Sequence, residues 1–100
     1  MEKFFFVATV PEPLSISAQL KNLKTVDKLK IYIHREDRFK TYIGIGTLAP
    51  SFSIHKLAEE LKTIAESTPF SDISLYPLEE KAEIQILKEH REAETELILH

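Results

Sequence analysis

The apolar residues of this chain change period several times, and each change marks an element. Residues Phe4–Val10, "FFFVATV", are mostly aromatic or β-branched and end at Pro11-Glu12-Pro13, so they predict a strand. The next stretch, "LSISAQLKNL", carries two periods at once. Leu14, Ile16, Ala18 and Leu20 alternate as a strand would, while Ile16, Leu20 and Leu23 form a helical stripe that Ser15 can cap. We read a short helix.

Leu29, Ile31 and Ile33 then alternate with Lys28, Lys30, Tyr32 and His34. Beyond a charged tip, Thr41, Ile43, Ile45 and Thr47 alternate with Lys40, Tyr42, Gly44 and Gly46. With Glu36–Arg38 as the loop of a hairpin, Ile31 faces Ile43, Leu29 faces Ile45 and Ile33 faces Thr41. One face of that hairpin is then apolar along its length, which specifies the register.

"SIHKLAEELKTIAEST" is the clearest helix. Ile54, Leu57, Ala58, Leu61, Ile64 and Ala65 share one face, Ser53 can cap the start, and Pro69 stops the helix at Thr68. "DISLYPL" follows as a fourth strand with Ile73 and Leu75 on one side and Tyr76 on the other. The last twenty residues set propensity against pattern. Glu, Lys, Ala and Gln favour a helix, but Ile84, Ile86, Leu87, Leu97, Ile98 and Leu99 scatter around a helical circumference. A hairpin turning at His90–Ala93 pairs Ile86 with Leu97 and Ile84 with Leu99 on one face, so we expect that hairpin.

The order β-α-β-β-α-β belongs to the α+β class. It predicts a ferredoxin-like plait, an antiparallel sheet with two helices on one face, extended by an additional C-terminal β-hairpin. One domain spans residues 1–100, with 1–78 as the plait and 79–100 as the extension. The layout, with the strand "DISLYPL" and the strand–turn–helix "YIGIGTLAPSFSIHKLAEELKTIAE", resembles the small plait-protein family of CRISPR adaptation complexes. That family has an acidic residue at the end of its first strand, where this chain reads "VATVPEP" with no Asp. The resemblance therefore implies architecture and carries no metal-dependent nuclease activity.

Composition narrows the chemistry. The chain has no cysteine, which removes disulfides and thiolate chemistry and fits a reducing, cytoplasmic setting. It has 2 glycines, Gly44 and Gly46, so no phosphate-cradling loop of the dinucleotide or P-loop kind can be written. "FFFVATV" is too short to span a bilayer, and Glu2 before it and Pro11 after it do not make a signal peptide. Net charge is −3, divided between a basic first half and an acidic second half, which disfavours non-specific coating of nucleic acid.

The tip "HREDR" offers His34 with Asp37 as a proton-transfer pair and Arg35 with Arg38 as an anion clamp. A hairpin tip has no walls to exclude water, and charge there keeps a strand edge soluble, so we read it as a solvated turn. His34, His55, His90 and His100 show no metal-ligand spacing among themselves. No cofactor and no catalytic group are expected.

The sheet face opposite the helices is the expected binding surface. It would present Lys28, Lys30, Tyr32, His34, Lys40, Tyr42 and Tyr76, with Tyr32 opposite Tyr42 and with Gly44 and Gly46 leaving a shallow patch for close approach. Two occupants fit it. Protein would bury the tyrosines, either a partner such as a second copy in a homodimer or the chain's own C-terminal segment, whose Glu83, Glu89, Glu92, Glu94 and Glu96 complement the lysines. A single-stranded nucleic acid would stack on the rings and contact lysine through phosphate, although the RNP sequence of RNA-recognition domains is absent. We expect a small non-enzymatic protein–protein interaction module, homodimeric and without a membrane segment, with nucleic-acid binding as the alternative.

Overall fold

A computed structural model describes residues 2–89 and 94–99. Five strands and three helices follow one another as β1 (Lys3–Pro11), α1 (Ser17–Lys21), β2 (Val26–Glu36), β3 (Phe39–Leu48), α2 (Ile54–Glu66), β4 (Asp72–Pro77), α3 (Glu80–Glu89) and β5 (Glu94–Leu99). The fold is α+β. The strands form one sheet in the order β4-β1-β3-β2-β5, and every neighbouring pair is antiparallel.

The main core lies on the face covered by α1 and α2. Phe4, Phe6, Ala8 and Val10 of β1 and Leu29, Ile31 and Ile33 of β2 meet Ile16 and Leu20 near α1 and Leu57, Leu61 and Ile64 of α2. The stripe read as a short helix is realised, but its N-cap is Ile16, with no side-chain cap. The Ser15 hydroxyl instead accepts the Ser17 N–H at 3.3 Å and lies 3.1 Å from the Tyr42 hydroxyl. At α2 the expected cap forms, with the Ser53 side chain accepting the Lys56 N–H at 3.4 Å.

Glu60 of α2 ties the α1–β2 connection to the core. Its carboxylate accepts the Lys24 N–H at 2.9 Å, the Thr25 N–H at 3.1 Å and the Thr25 hydroxyl at 2.5 Å. Thr25 is buried, so Glu60→Ala leaves its donors without an acceptor. The expected cost is about 1–3 kcal/mol, read as a fall of roughly 5–15 °C in the calorimetric midpoint. Glu60→Gln, which keeps one acceptor oxygen, should recover part of it.

The β2–β3 hairpin differs from the sequence expectation by one residue. Glu36 pairs with Phe39, so the turn is Asp37-Arg38 and not the loop Glu36–Arg38. Asp37 takes a left-handed backbone conformation, φ 57°, which aspartate tolerates better than most residues. Ile31 therefore faces Gly44, Tyr32 faces Ile43 and Ile33 faces Tyr42. A one-residue slip reverses every side chain of one strand. Ile43 and Ile45 consequently leave the helix side, and Tyr42, Gly44 and Gly46 take it.

The second correction concerns the C-terminal segment. Glu80–Glu89 is a helix, so the expected hairpin arm through Ile84 and Ile86 does not form; its turn at His90–Ala93 lies outside the described residues. Glu94–Leu99 is a strand, and it pairs with β2, with Leu29 opposite Ile98 and Ile31 opposite Glu96. The chain thus passes from β4 at one edge to β5 at the other. Four inter-strand spacings amount to about 19 Å, of which a ten-residue helix covers about 15 Å. A helix supplies its own backbone hydrogen bonds while it crosses the sheet face, which an unpaired hairpin arm there would not. Leu78 and Ile86 pack with Tyr32, Ile43, Ile45, Phe5 and Val7, so a second apolar cluster, built with the chain's own C-terminal segment, fills the face read as the binding surface.

Candidate protein-interaction surface

The corrected register divides the expected binding residues between two faces. Tyr42 is fully buried on the helix side, its hydroxyl accepting the Ile16 N–H at 3.4 Å. Lys40, on the same side of β3, is only 8% exposed. Both leave the binding surface, and the expected Tyr32–Tyr42 pair does not exist. Gly44 and Gly46 do not provide a patch for an incoming molecule either. A Cβ at Gly44 would enter the Phe6 ring, and one at Gly46 would collide with the Lys28 carbonyl. The two glycines make room for the protein's own aromatic rings.

Lys28, Lys30, Tyr32, His34 and Tyr76 remain on the opposite side of the sheet. Tyr32 belongs to the second cluster and is 5% exposed, with the Lys30 ammonium 5.3 Å from its ring centroid. His34 is half-buried opposite Thr41, and Lys28 and Lys30 are exposed. Tyr76 is 45% exposed and stacks on Phe5 at 4.8 Å between centroids. Beside this strip the Lys3 ammonium meets the Glu83 carboxylate of α3 at 2.9 Å. The charged tip holds Arg35 3.6 Å from Glu12. Among the described residues no three His, Asp or Glu side chains gather into a metal-ligating group. No described helix is long and apolar enough to cross a membrane.

A different surface places one exposed aromatic, Phe70, beside the outer edge of β4. Phe70, in the α2–β4 turn, is 93% exposed and has a left-handed backbone, φ 58°. For a bulky side chain that conformation is strained by about 1–3 kcal/mol. The turn around it is pinned. The Ser71 N–H donates to the Thr68 carbonyl at 3.2 Å, the Ser71 hydroxyl donates to the same carbonyl at 2.7 Å, and the Thr68 hydroxyl reaches the Ile64 carbonyl at 2.9 Å. The ring is therefore presented to solvent by a held backbone.

Immediately after Phe70 the chain borders a cleft of about 300 Å³ between α2 and β4, lined by Ala58, Leu61, Ala65, Ile73 and Leu75 with Lys62, Ser71 and Asp72 among its polar groups. Ala58 and Ala65 on the α2 wall leave space between the helix and the strand. Among the described residues β4 pairs with β1 alone, so its outer backbone edge borders the same cleft. The sequence did signal this surface. Phe70 is a lone aromatic between Pro69 and Ser71 in a polar turn, which periodicity passes over because a turn has none.

No family model, curated protein or solved structure matches this chain.

Proposed function

We propose that this chain is a small non-enzymatic protein-interaction module built on a ferredoxin-like plait, and that it meets its partner along the α2–β4 side. The strand order β4-β1-β3-β2, with α1 and α2 over one face, supports the plait. On this reading α3 and β5 are additions that cover the other face and one edge. The observation that carries the interaction reading is Phe70, almost wholly exposed on strained, pinned backbone beside an apolar cleft. An exposed aromatic in a conformation that glycine would adopt without strain costs the isolated domain stability and gains it nothing. Burial in a partner is what would offset that cost, by about 1.5–3 kcal/mol for a phenylalanine ring.

An oligonucleotide on the tyrosine–lysine face is disfavoured because stacking needs accessible rings there. Of the three tyrosines only Tyr76 keeps substantial exposure. Lys28 and Lys30 remain as exposed charge on that side.

The test compares wild type with Phe70→Gly by sedimentation equilibrium and by thermal unfolding. The variant should keep its melting midpoint or raise it by a few degrees, because the left-handed strain is relieved. Because both copies lose the ring, its self-association constant should fall about 10²–10⁴-fold. A chain that self-associates equally well without the Phe70 ring would overturn the reading that this ring anchors the interface.

A further inference from the structure

We infer that the partner is a second copy of this chain, joined by antiparallel pairing of β4 with β4 about a two-fold axis at Ser74. The inference rests on the interaction reading above and specifies its occupant and register.

The main-chain hydrogen bonds of β4 decide which groups face outward. Leu78 donates its N–H to the Lys3 carbonyl at 3.0 Å. The β1–β4 register continues from there as Phe5 opposite Tyr76, Val7 opposite Ser74 and Thr9 opposite Asp72. Hydrogen-bonded pairs alternate with non-bonded ones in an antiparallel ladder, so these residues turn their N–H and C=O groups toward β1. Ile73, Leu75 and Pro77 then turn theirs away. Pro77 has no N–H, and an edge strand tolerates proline where that missing donor would face outward. The edge is left with two donors, the N–H groups of Ile73 and Leu75, and with the carbonyls of Ile73, Leu75 and Pro77.

Those groups are self-complementary. With Ser74 on a two-fold axis, Ile73 of one copy pairs with Leu75 of the other, and the pairing is repeated by symmetry. Every N–H and C=O of Ile73 and Leu75 is then satisfied, and Pro77 falls outside the ladder. Moving the axis to Ile73 or to Leu75 leaves one of these carbonyls without a strand donor within the paired stretch. A peptide running the length of β4 would meet Pro77, where its own carbonyl finds no N–H. The edge therefore suits a short symmetric ladder better than a long added strand.

The surroundings agree. β4 has an Asp at its start and a Pro at its end but no lysine, and no bulge interrupts its pairing with β1, so the usual protection against edge pairing is missing from its middle. On the helix side Ile73 and Leu75 already pack against the main core, and the adjoining cleft would continue into its symmetric counterpart. In this register Phe70, two residues before β4, comes alongside the end of β4 in the second copy. That position would account for its exposure in a single chain.

The chain contains no cysteine, so one substitution places one thiol. Ser74 would face its own image as a non-hydrogen-bonded pair about 4.5 Å apart between Cα atoms, within the range a disulfide accepts. Ser74 is half-buried and lines no core cluster, so Ser74→Cys should fold. Under mild oxidation Ser74→Cys should convert to a disulfide-linked dimer. Asp72→Cys, whose image would lie about 14 Å along the strand direction, should not. The double variant Asp72→Cys/Tyr76→Cys should link again, because position 72 opposes position 76 of the second copy. A dimeric mass with no link at Ser74→Cys would reject this register while leaving the interaction reading in place. A monomer at every concentration would reject both self-association and this inference. A monomer whose Ser74→Cys thiol links to a different added polypeptide would keep the edge as a docking site and reject a second copy as its occupant.

Discussion

Tyr42→Ala is expected to lower the stability of this domain by about 3–5 kcal/mol, the range for deleting a buried aromatic ring. Tyr42 is fully buried in the central strand, opposite Ala8 of β1 and Ile33 of β2. Its hydroxyl lies 3.1 Å from the Ser15 hydroxyl and accepts the Ile16 N–H at 3.4 Å, so it also holds the entry of α1 against the sheet. Alanine removes the ring and strands a buried N–H. Set against a total of about 5–15 kcal/mol for a domain of ordinary stability, the loss approaches the whole in a marginal case. The midpoint should fall by roughly 15–30 °C. Tyr42→Phe keeps the ring and loses only the hydrogen bonds, for about 0.5–1.5 kcal/mol. Urea unfolding of the two variants separates the positions Tyr42 could hold. On an open binding face both substitutions would cost little, and a mild effect from alanine would contradict the register described here.

Gly44→Ala should destabilise by about 3 kcal/mol, at the upper end for overpacking a core. The sign is the informative part. Alanine in place of glycine in a strand ordinarily gains about 0.5–1 kcal/mol, because it restricts the unfolded chain. Here the new Cβ would occupy the space of the Phe6 ring, which lies over Gly44 from the neighbouring strand. Phe6 is itself fully buried and stacked with Phe4 at 6.4 Å, so the ring cannot swing into solvent. Phe6→Leu should therefore suppress part of the damage. The double variant should lose less than the sum of the two single losses, by a coupling of about 1–2 kcal/mol in denaturant midpoints. Gly46→Ala gives the contrast. Its Cβ would meet the Lys28 carbonyl, which is backbone, and no side-chain substitution can clear it. Additive losses at Gly44 and Phe6 would show that the ring does not lie over the glycine.

These two positions also show where sequence reasoning reached its limit. Residues 39–48 are apolar on both faces: Tyr42, Gly44, Gly46 and Leu48 on one, Ile43 and Ile45 on the other. Alternation identifies such a segment as a strand but does not say which face meets which helix. The Ile43/Ile45 face read as the core because isoleucine is the stronger hydrophobic signal, and the tyrosine–glycine face read as a binding surface for want of one. The deciding difference was one residue of turn length at Asp37. The candidate site moved for the same reason. A surface assembled from Tyr32, Tyr42 and Lys40 required a register that the turn does not make. Phe70 stood in a turn with no period to draw attention to it. Ile84, 56% exposed on α3, shows why the C-terminal pattern misled. A lightly docked helix buries few positions and need not show a clean stripe.

By itself the sequence determined the elements whose signals are local. The first strand before Pro11, the capped helix from Ile54 to Glu66, the two strands flanking Asp37 and the strand after Phe70 all follow from interactions a few residues apart. It also determined that Leu29, Ile31 and Ile33 lie on the helix side, because the other face of β2 is largely lysine, tyrosine and histidine. Only the tertiary structure decided which way β3 faces, what covers the second face of the sheet and which strands form its two edges. Those outcomes depend on contacts between residues far apart in the chain. Phe6 over Gly44, Ile86 against the sheet and β5 beside β2 each select one arrangement among several that the same local pattern allows.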